Sequence, residues 1–196
     1  MLKNFFIISV LGRAGAGKGT QVKLLEAQTG FEVIRTGDLL REKAKEKSVI
    51  GERIQHTLDR GFVMPTPIVF LLWMPILERL YRESNAQGVI FDGNPRRLHE
   101  AQMLNELFDL FGWKDRLKVF YIHVEEETAK KRLLERARED DTENQIAERL
   151  AYFKTEVQPV LDYYKKTEVL EEINGEQSIE DVNREVMEKT KSFFEG

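Results

Sequence analysis

The sequence predicts an α/β fold in which a five-stranded parallel sheet is covered by helices on both faces. Short apolar runs alternate with segments of helical periodicity, and hydrophobic residues make up 41% of the 196 residues, enough for the core of one domain. The predicted strands are 5–11, 32–35, 88–92, 117–124 and 168–173. The predicted helices are 18–28, 36–47, 50–60, 66–84, 98–111, 126–138, 143–165 and 179–194. In such a fold, ligands bind outside the carboxyl ends of the strands.

Composition narrows the range of partners. The net charge of −4 argues against nucleic acid or an anionic membrane as the main partner. The chain has no cysteine, which excludes disulfides and thiolate metal sites, and no zinc is expected. The longest apolar stretch, 68–77, is too short to span a bilayer and contains Pro75. No signal-peptide pattern precedes the first strand, so we expect a cytoplasmic protein.

A glycine-rich loop with the spacing of a phosphate-binding site follows the first strand. The loop reads GRAGAGKGT, and a helical pattern begins at its lysine. Strand, G-x-x-x-x-G-K and helix in this order form a Walker A pattern, because the N–H groups of such a loop surround phosphate oxygens and the helix N-terminus adds positive potential. Lys18 would reach the β- and γ-phosphates of a bound nucleotide. The phosphate-binding residues predicted by the pattern are Gly15, Ala16, Gly17, Lys18, Gly19 and Thr20.

The loop hydroxyl stands one place later than in the general pattern, because Gly19 follows Lys18 and Thr20 comes next. This run, GKGTQ, resembles the loop of adenylate kinases and related nucleoside monophosphate (NMP) kinases. The proline that is usual in that loop is Ala14 here. The resemblance implies a single domain over 1–196 with a P-loop three-layer α/β/α fold. It also implies a helical NMP-binding insertion at about 36–66 and a very short lid at about 136–142.

Two further segments resemble the acceptor side of these kinases. The segment TGDLLR matches the family pattern T-G-D-x-x-R, which implies that Thr36 contacts the acceptor nucleotide and Arg41 its phosphate. Thr36 is also well placed as a helix N-cap, which would explain it without a ligand. The segment GFVMP resembles the family pattern G-x-L-V-P, which implies that Phe62 and Met64 line the acceptor base. A helix start at Pro65 is the structural explanation of the same segment.

The third predicted strand ends in the segment DGNPRR. A carboxylate at the end of an apolar strand is the natural magnesium ligand of a P-loop protein, so we expect Asp92 to hold Mg²⁺ through water. The segment resembles the family pattern D-G-F-P-R-T, with Asn94 in place of the aromatic residue and Arg97 in place of the threonine. The resemblance implies that Gly93 and Arg96 contact the acceptor, Arg96 at its phosphate. A surface ion pair is the alternative for Arg96 and the favoured explanation of Arg97.

Glu100 is the departure with the greatest consequence for specificity. In adenylate kinases a glutamine eight residues after the strand aspartate reads the adenine edge, and Glu100 occupies that position here. An ionised glutamate only accepts hydrogen bonds, so it could take the adenine amino hydrogen or pair with a donor of guanine or cytosine. Gln102 is the nearest glutamine, but two residues turn about 200° around a helix. Thr36 favours AMP, which is therefore the first-choice acceptor.

Four arginines follow the fourth strand. Arg132 and Arg136 share one helix face, and Arg138 and Arg149 come later. Planar guanidiniums stabilise the charge that spreads over a transferred phosphoryl group, whereas Glu–Arg pairs on a charged helix hairpin are the structural alternative. The spacing resembles the family's R-x-x-x-R followed by R-x-D-D and a later arginine. The resemblance implies that Arg132 stacks on the donor adenine and that the other three arginines hold the phosphates.

The lid expected of such a kinase is nearly absent. Long-lid members insert a small β domain, often with cysteine-bound zinc, whereas here only a few residues separate Arg136 from Asp140 and Asp141. The two aspartates would anchor the arginines or the closed lid. Lid closure excludes water from the reacting phosphoryl group. We hypothesise that a minimal helical hairpin performs this closure.

The remaining motifs are less specific. The segment NGEQS after the last strand resembles a family loop whose backbone contacts the donor adenine, with Gln177 at the contacting position, while a plain turn with Ser178 as an N-cap explains it equally well. The histidines, His56, His99 and His123, have no nucleophile or metal-ligand cluster near them in sequence. We expect no catalytic role for them, because phosphoryl transfer depends on positioning and charge more than on a base.

Taken in order, these motifs imply a phosphotransferase of nucleotide metabolism. The implied reaction is reversible transfer of the γ-phosphoryl group of Mg-ATP to a nucleoside monophosphate, ATP + AMP = 2 ADP, by a monomer. A kinase for GMP, CMP or UMP, and a nucleotide-binding regulator without catalysis, remain as alternatives. A P-loop kinase for another small molecule would lack the T-G-D-x-x-R and D-G-x-P-R segments, and a GTPase would need an N-K-x-D motif that the sequence lacks.

Overall fold

The sheet has the predicted five parallel strands. The computed structural model describes residues 5–60, 63–136 and 142–195. Within them the strand order is β2-β3-β1-β4-β5, and every neighbouring pair is parallel. The strands are β1 (Phe6–Leu11), β2 (Glu32–Ile34), β3 (Gly88–Asp92), β4 (Leu117–His123) and β5 (Leu170–Asn174). The α/β class expected from the sequence is confirmed.

Helices follow the strands as the periodicity predicts, with two differences. They are α1 (Lys18–Thr29), α2 (Thr36–Ala44), α3 (Val49–Asp59), α4 (Thr66–Arg82), α5 (Leu98–Leu110), α6 (Glu126–Arg136), α7 (Glu143–Tyr152), α8 (Gln158–Lys166) and α9 (Ile179–Glu195). The second helix ends earlier than predicted, because Ser48 caps α3 by accepting the Gly51 N–H at 3.1 Å. The predicted helix 143–165 is divided by a π-helical turn, Phe153–Val157.

Both faces of the sheet are buried, which explains the near-continuous apolar strands. On one face α4, α5 and α8 pack around Trp73, Leu104 and Tyr164. On the other face α1, α6, α7 and α9 cover the sheet, with Val22 and Leu133 among the fully buried side chains. None of the described helices is long and apolar enough to cross a bilayer.

The carboxyl ends of the strands bring the sequence motifs to one edge of the sheet. Central strand β1 pairs with β3 and β4, and Val10 lies opposite Asp92. The glycine loop therefore leaves β1 beside the end of β3. The segments that follow β2 and β4 open onto the same edge. Parallel pairing alone thus assembles the candidate site.

Candidate active site

The glycine loop has the backbone that a phosphate site requires. Gly15 and Gly17 have φ values of 84° and 88°, in the left-handed region. A Cβ on Gly15 would also collide with the backbone carbonyl oxygen of Ala129 in α6. Gly17 is the N-cap of α1 and contributes no side-chain cap, so the first N–H groups of that helix face the loop without a protein side chain on them. Gly19 and Thr20 lie exposed on the first turn of α1.

Lys18 lies where four charges meet. Its Nζ donates a hydrogen bond to the backbone carbonyl of Arg13 at 2.9 Å. Burial and the charges of Arg96 and Arg136 together lower the pKa of Lys18 from 10.5 to about 8, while the charge of Asp92 opposes them. Because such influences require proximity, the loop lysine, the aspartate at the end of β3 and these two arginines share one site.

Gly93 allows the close approach of Lys18 and Arg96. A Cβ built on Gly93, whose φ is 70°, would lie 3.3 Å from Cε of Lys18 and 3.8 Å from Nη2 of Arg96. The Arg96 side chain folds over this glycine and donates from Nε to its carbonyl at 3.1 Å. A side chain at position 93 would therefore separate the two cations.

Glu100 is turned into the loop that carries Arg96. It is only 3% exposed, and its Oε2 accepts the backbone N–H of Arg96 at 2.6 Å. Burial raises the pKa of the Glu100 carboxyl, while Arg96 and Arg97 oppose that rise. Glu100 is the third residue of α5, the position from which an acid reaches back to the N-terminal backbone in a capping box. That position is a signal in the sequence for this structural role, and the sequence analysis missed it.

Thr36 does not cap a helix, so the N-cap expectation for it was wrong. It is the first residue of α2, it is buried, and the cap position is Arg35 without a side-chain hydrogen bond. Its Oγ1 instead accepts a hydrogen bond from Nε1 of Trp73 at 3.0 Å. Sequence reasoning missed Trp73, because the apolar stretch around it suggested only core packing.

Two further residues of the predicted acceptor side, Arg41 and Met64, differ in exposure. Arg41 forms an ion pair with Asp38 within α2 and is largely exposed. Met64 is buried in the core beside Thr66, whose Oγ1 hydrogen-bonds Nε2 of His99 at 2.6 Å. The other base-lining prediction, Phe62, lies outside the described residues. The hydrogen bond between Thr66 and His99 joins the start of α4 to the start of α5, whereas Arg41 lies on the surface of α2.

The donor side brings α6 and the last loop together. Nη1 of Arg132 donates to the carbonyl of Gly175 at 3.0 Å, so the predicted adenine-stacking arginine adjoins the NGEQS loop. The Gln177 side chain donates to Asn174 O at 3.1 Å and to Glu185 Oε2 at 3.0 Å, so it turns toward α9. Ser178 accepts the Asp181 N–H at 3.1 Å, as expected for an N-cap.

Two of the arginines expected to hold the phosphates lie on described helices. Arg136 ends α6 close to Lys18, and Arg149 lies on α7. The predicted lid residues Arg138, Asp140 and Asp141 lie outside the described residues.

Arg97 has the role that the sequence favoured for it. Its Nε lies 3.7 Å from Glu156 Oε2 in an ion pair near the surface. Its neighbour Arg96 instead points into the Lys18 cluster.

Asp92 suits a magnesium ion that binds together with nucleotide phosphates. The carboxylate ends β3 and faces Lys18, whose pKa it raises. Across residues 5–60, 63–136 and 142–195, no group of three or more histidines and acids could hold a metal by itself. Mg²⁺ typically takes one or two carboxylates, several waters and substrate phosphates, so a lone aspartate beside a phosphate loop fits that ion.

Comparison with known proteins agrees with this geometry. Residues 10–169 match the family model described as adenylate kinase. Adenylate kinase 1 of a Nostoc species is 37% identical over 176 residues, covering 90% of this chain and 94% of the relative. Adenylate kinase of Thermus thermophilus is 36% identical over 169 residues, covering 84% and 86%. The match includes the phosphate loop, the acceptor segments and the arginine helices in one continuous span, and the chain belongs to the adenylate kinase family.

Proposed function

We propose that this protein transfers the γ-phosphoryl group of Mg-ATP reversibly to AMP, giving two molecules of ADP. The observation that carries the proposal is the cluster of Lys18, Arg96 and Arg136 beside Asp92 at the carboxyl edge of the sheet. Several cations converging on one point next to a phosphate loop suit a reaction in which two phosphate chains meet. Membership of the adenylate kinase family supports the same reaction.

On the donor side, the N–H groups of the glycine loop bind the phosphates of ATP. Lys18 gives up its hydrogen bond to the Arg13 carbonyl and donates instead to oxygens of the β- and γ-phosphates. Arg132 stacks on the adenine, beside the backbone of the loop that contains Gln177. The proposed ATP-binding residues are Gly15, Ala16, Gly17, Lys18, Gly19, Thr20, Arg132, Arg136 and Gln177.

On the acceptor side, Arg96 holds the phosphate of AMP and aligns it with the γ-phosphorus. The Thr36 oxygen accepts from Trp73, so its own hydrogen remains to be donated toward a base. Glu100 uses one oxygen on the Arg96 backbone, and its second oxygen accepts the adenine amino hydrogen. The proposed acceptor residues are Thr36, Arg41, Phe62, Met64, Gly93, Arg96 and Glu100.

The side chains act by orientation and charge. The AMP phosphate oxygen attacks in line while Lys18, Arg96, Arg136, Arg138 and Arg149 surround the equatorial oxygens. Loss of one well-placed donor of this kind typically costs about 3–4 kcal/mol in the transition state. Asp92 would hold Mg²⁺ through water, and that ion supplies further neutralisation of phosphate charge. The protein itself supplies alignment and exclusion of water.

Two alanine variants test the mechanism. Lys18→Ala and Arg96→Ala should each lower kcat at least 100-fold in a coupled ADP assay. Arg184→Ala is a matched control, because Arg184 is 66% exposed and pairs only locally, with Asp181 at 2.7 Å. Near-normal turnover in both site variants would refute the proposed mechanism.

A panel of acceptors tests the base preference. AMP, GMP, CMP, UMP and dTMP are compared at fixed Mg-ATP. We expect AMP to have the highest kcat/KM, because Thr36 and membership of the adenylate kinase family favour it and its amino group can donate to the Glu100 carboxylate. Faster transfer to GMP would instead indicate that the carboxylate pairs with the guanine N–H donors.

The short lid, proposed to be anchored by Asp140 and Asp141, has a separate test. If the hairpin excludes water, Mg-ATP without an acceptor should be hydrolysed far more slowly than AMP is phosphorylated. Hydrolysis that approaches the transfer rate would show that it does not. We also propose that the enzyme acts as a cytoplasmic monomer, and sedimentation at micromolar concentration measures the oligomeric state.

A further inference from the structure

Arg13, the second residue of the glycine loop, contacts two other parts of the fold. Its guanidinium carbon lies 4.9 Å from the centre of the Phe153 ring, at the start of the π-helical turn. Its Nη1 lies 3.7 Å from Oε2 of Glu126 in the first turn of α6. The side chain is only 13% exposed, and its Nε has no hydrogen-bond partner among the described residues. The aromatic ring, the carboxylate and the hydroxyl of Tyr121, which forms a side-chain hydrogen bond with Arg13, therefore set its position.

The groups that hold Arg13 are themselves held. The Phe153 ring stacks on Tyr121 of β4, with centres 6.2 Å apart and an interplanar angle of 19°. Glu126 also accepts Nζ of Lys154 at 2.7 Å. Burial raises the pKa of the Tyr121 hydroxyl, and the nearby charge of Arg13 opposes that rise. Arg13 is thus seated against β4, α6 and the π-helical turn together.

The backbone of Arg13 shapes the phosphate loop. Its carbonyl oxygen accepts the Ala16 N–H at 3.1 Å and the Lys18 ammonium at 2.9 Å. The next residue is Ala14, and its φ angle is less restricted than the φ angle of a proline at that position would be. Any displacement of Arg13 therefore moves an oxygen that both the loop and its lysine use.

We propose that Arg13 is a positioning residue that fixes the phosphate loop through its side chain and joins it to the helix bearing Arg149. Arg149 precedes Phe153 by four residues, which is about one helical turn. Stacking of a guanidinium on an aromatic ring with little solvent around it gives a rigid, directional attachment that an ammonium does not reproduce. The side chain of Arg13 thereby orders a loop that lacks proline. The inference rests on the proposed use of the loop to bind ATP.

Nucleotide binding measured by calorimetry tests this role without requiring turnover. Arg13→Ala should raise the Kd for ATP about tenfold and leave the Kd for AMP within about twofold. Arg13→Lys keeps the charge and the aliphatic stem of the side chain, so it folds even where the alanine variant does not. On a logarithmic scale, it should raise the Kd for ATP about half as much as Arg13→Ala does. Arg184→Ala again serves as the exposed control.

Two combinations separate positioning from general damage. Phe153→Leu should weaken ATP binding severalfold, and adding it to Arg13→Ala should bring little further loss, because both remove one attachment. Ala14→Pro in the Arg13→Ala background should recover most of the ATP affinity by stiffening the loop.

Three results would overturn the proposal. The first is a Kd of Arg13→Ala for ATP within twofold of the wild-type value. The second is a double variant, Arg13→Ala with Phe153→Leu, whose loss of ATP affinity equals the product of the two single losses. The third is an equal rise in the Kd values for ATP and AMP. A wild-type protein that binds ATP but transfers no phosphoryl group would overturn the proposed function instead. The titrations of Arg13 variants would remain interpretable in that case.

Discussion

Affinity for ATP should fall steeply as the pH rises above about 8. Burial, with the charges of Arg96 and Arg136, lowers the pKa of Lys18 from 10.5 to about 8 in the nucleotide-free protein. A lysine is cationic below its pKa, so Lys18 is charged at pH 7 and mostly neutral at pH 9. Bound phosphates restore the proton, because they bring negative charge next to the amine.

The size of the effect follows from that pKa. The protonated fraction of Lys18 falls from about 0.9 at pH 7 to about 0.1 at pH 9. If the bound state keeps the proton, the Kd for ATP rises about tenfold over the same range. Proton uptake on binding rises correspondingly, from about 0.1 to about 0.9 per ATP.

Calorimetric titration in two buffers of different ionisation enthalpy measures both quantities. Lys18→Arg is the matched control, because a guanidinium stays charged throughout this range. Protonation and deprotonation of the ATP phosphates contribute equally in both proteins, so this contribution cancels when the two proteins are compared. The reasoning would be refuted if the Kd for ATP changed by the same factor between pH 7 and pH 9 in the wild type and in Lys18→Arg, and if the wild type took up no extra protons.

Three further variants test other contacts. Lys18→Met should raise the free energy of unfolding in urea at pH 7 by about 1–2 kcal/mol, because the gain from removing a charge whose pKa is lowered in the fold exceeds the loss of its hydrogen bond to the Arg13 carbonyl; a loss of stability would contradict this. Glu100→Gln keeps an accepting oxygen and removes a carboxyl whose pKa burial raises. The wild type should lose stability relative to this variant as the pH rises above about 4, since its folded state holds that proton more tightly than its unfolded state. Trp73→Phe removes the donor to Thr36 and should raise the KM for AMP severalfold but not that for ATP, whereas the equally buried control Trp113→Phe should change neither.

Local patterns were sufficient to predict the secondary structure. Strands β1 to β4 are short, mainly apolar runs followed closely by glycine, polar or charged residues, whereas β5 carries Glu171 and Glu172; the apolar runs and their ends depend only on neighbours in sequence. The predicted helix 143–165 failed at one point, because the apolar pattern continues through Phe153–Val157 while the backbone adopts a π-helical turn there. Such a turn changes the direction of a few side chains without altering the composition of the segment.

The partners of individual side chains were predicted less well. The spacing of Thr36 fits an N-cap, yet its hydroxyl oxygen accepts a hydrogen bond from a tryptophan 37 residues later in the chain. Glu100 fits the position of a base-reading glutamine, yet the backbone of its own loop holds one of its oxygens. In both cases the spacing agreed with the expectation, but the orientation of the side chain depended on its hydrogen-bond partner.

The sequence by itself determined the glycine loop, the order of the motifs that resemble the adenylate kinase family, and the α/β class, because each rests on spacing along the chain. Only the tertiary structure decided which charges share a site and what each side chain faces. The lowered pKa of Lys18 arises from burial and from arginines in two other segments, 96 and 136. The attachment of Arg13 to Phe153 joins residues far apart in the sequence. Both follow from the strand order β2-β3-β1-β4-β5, which gathers the ends of distant strands at one edge and buries them there.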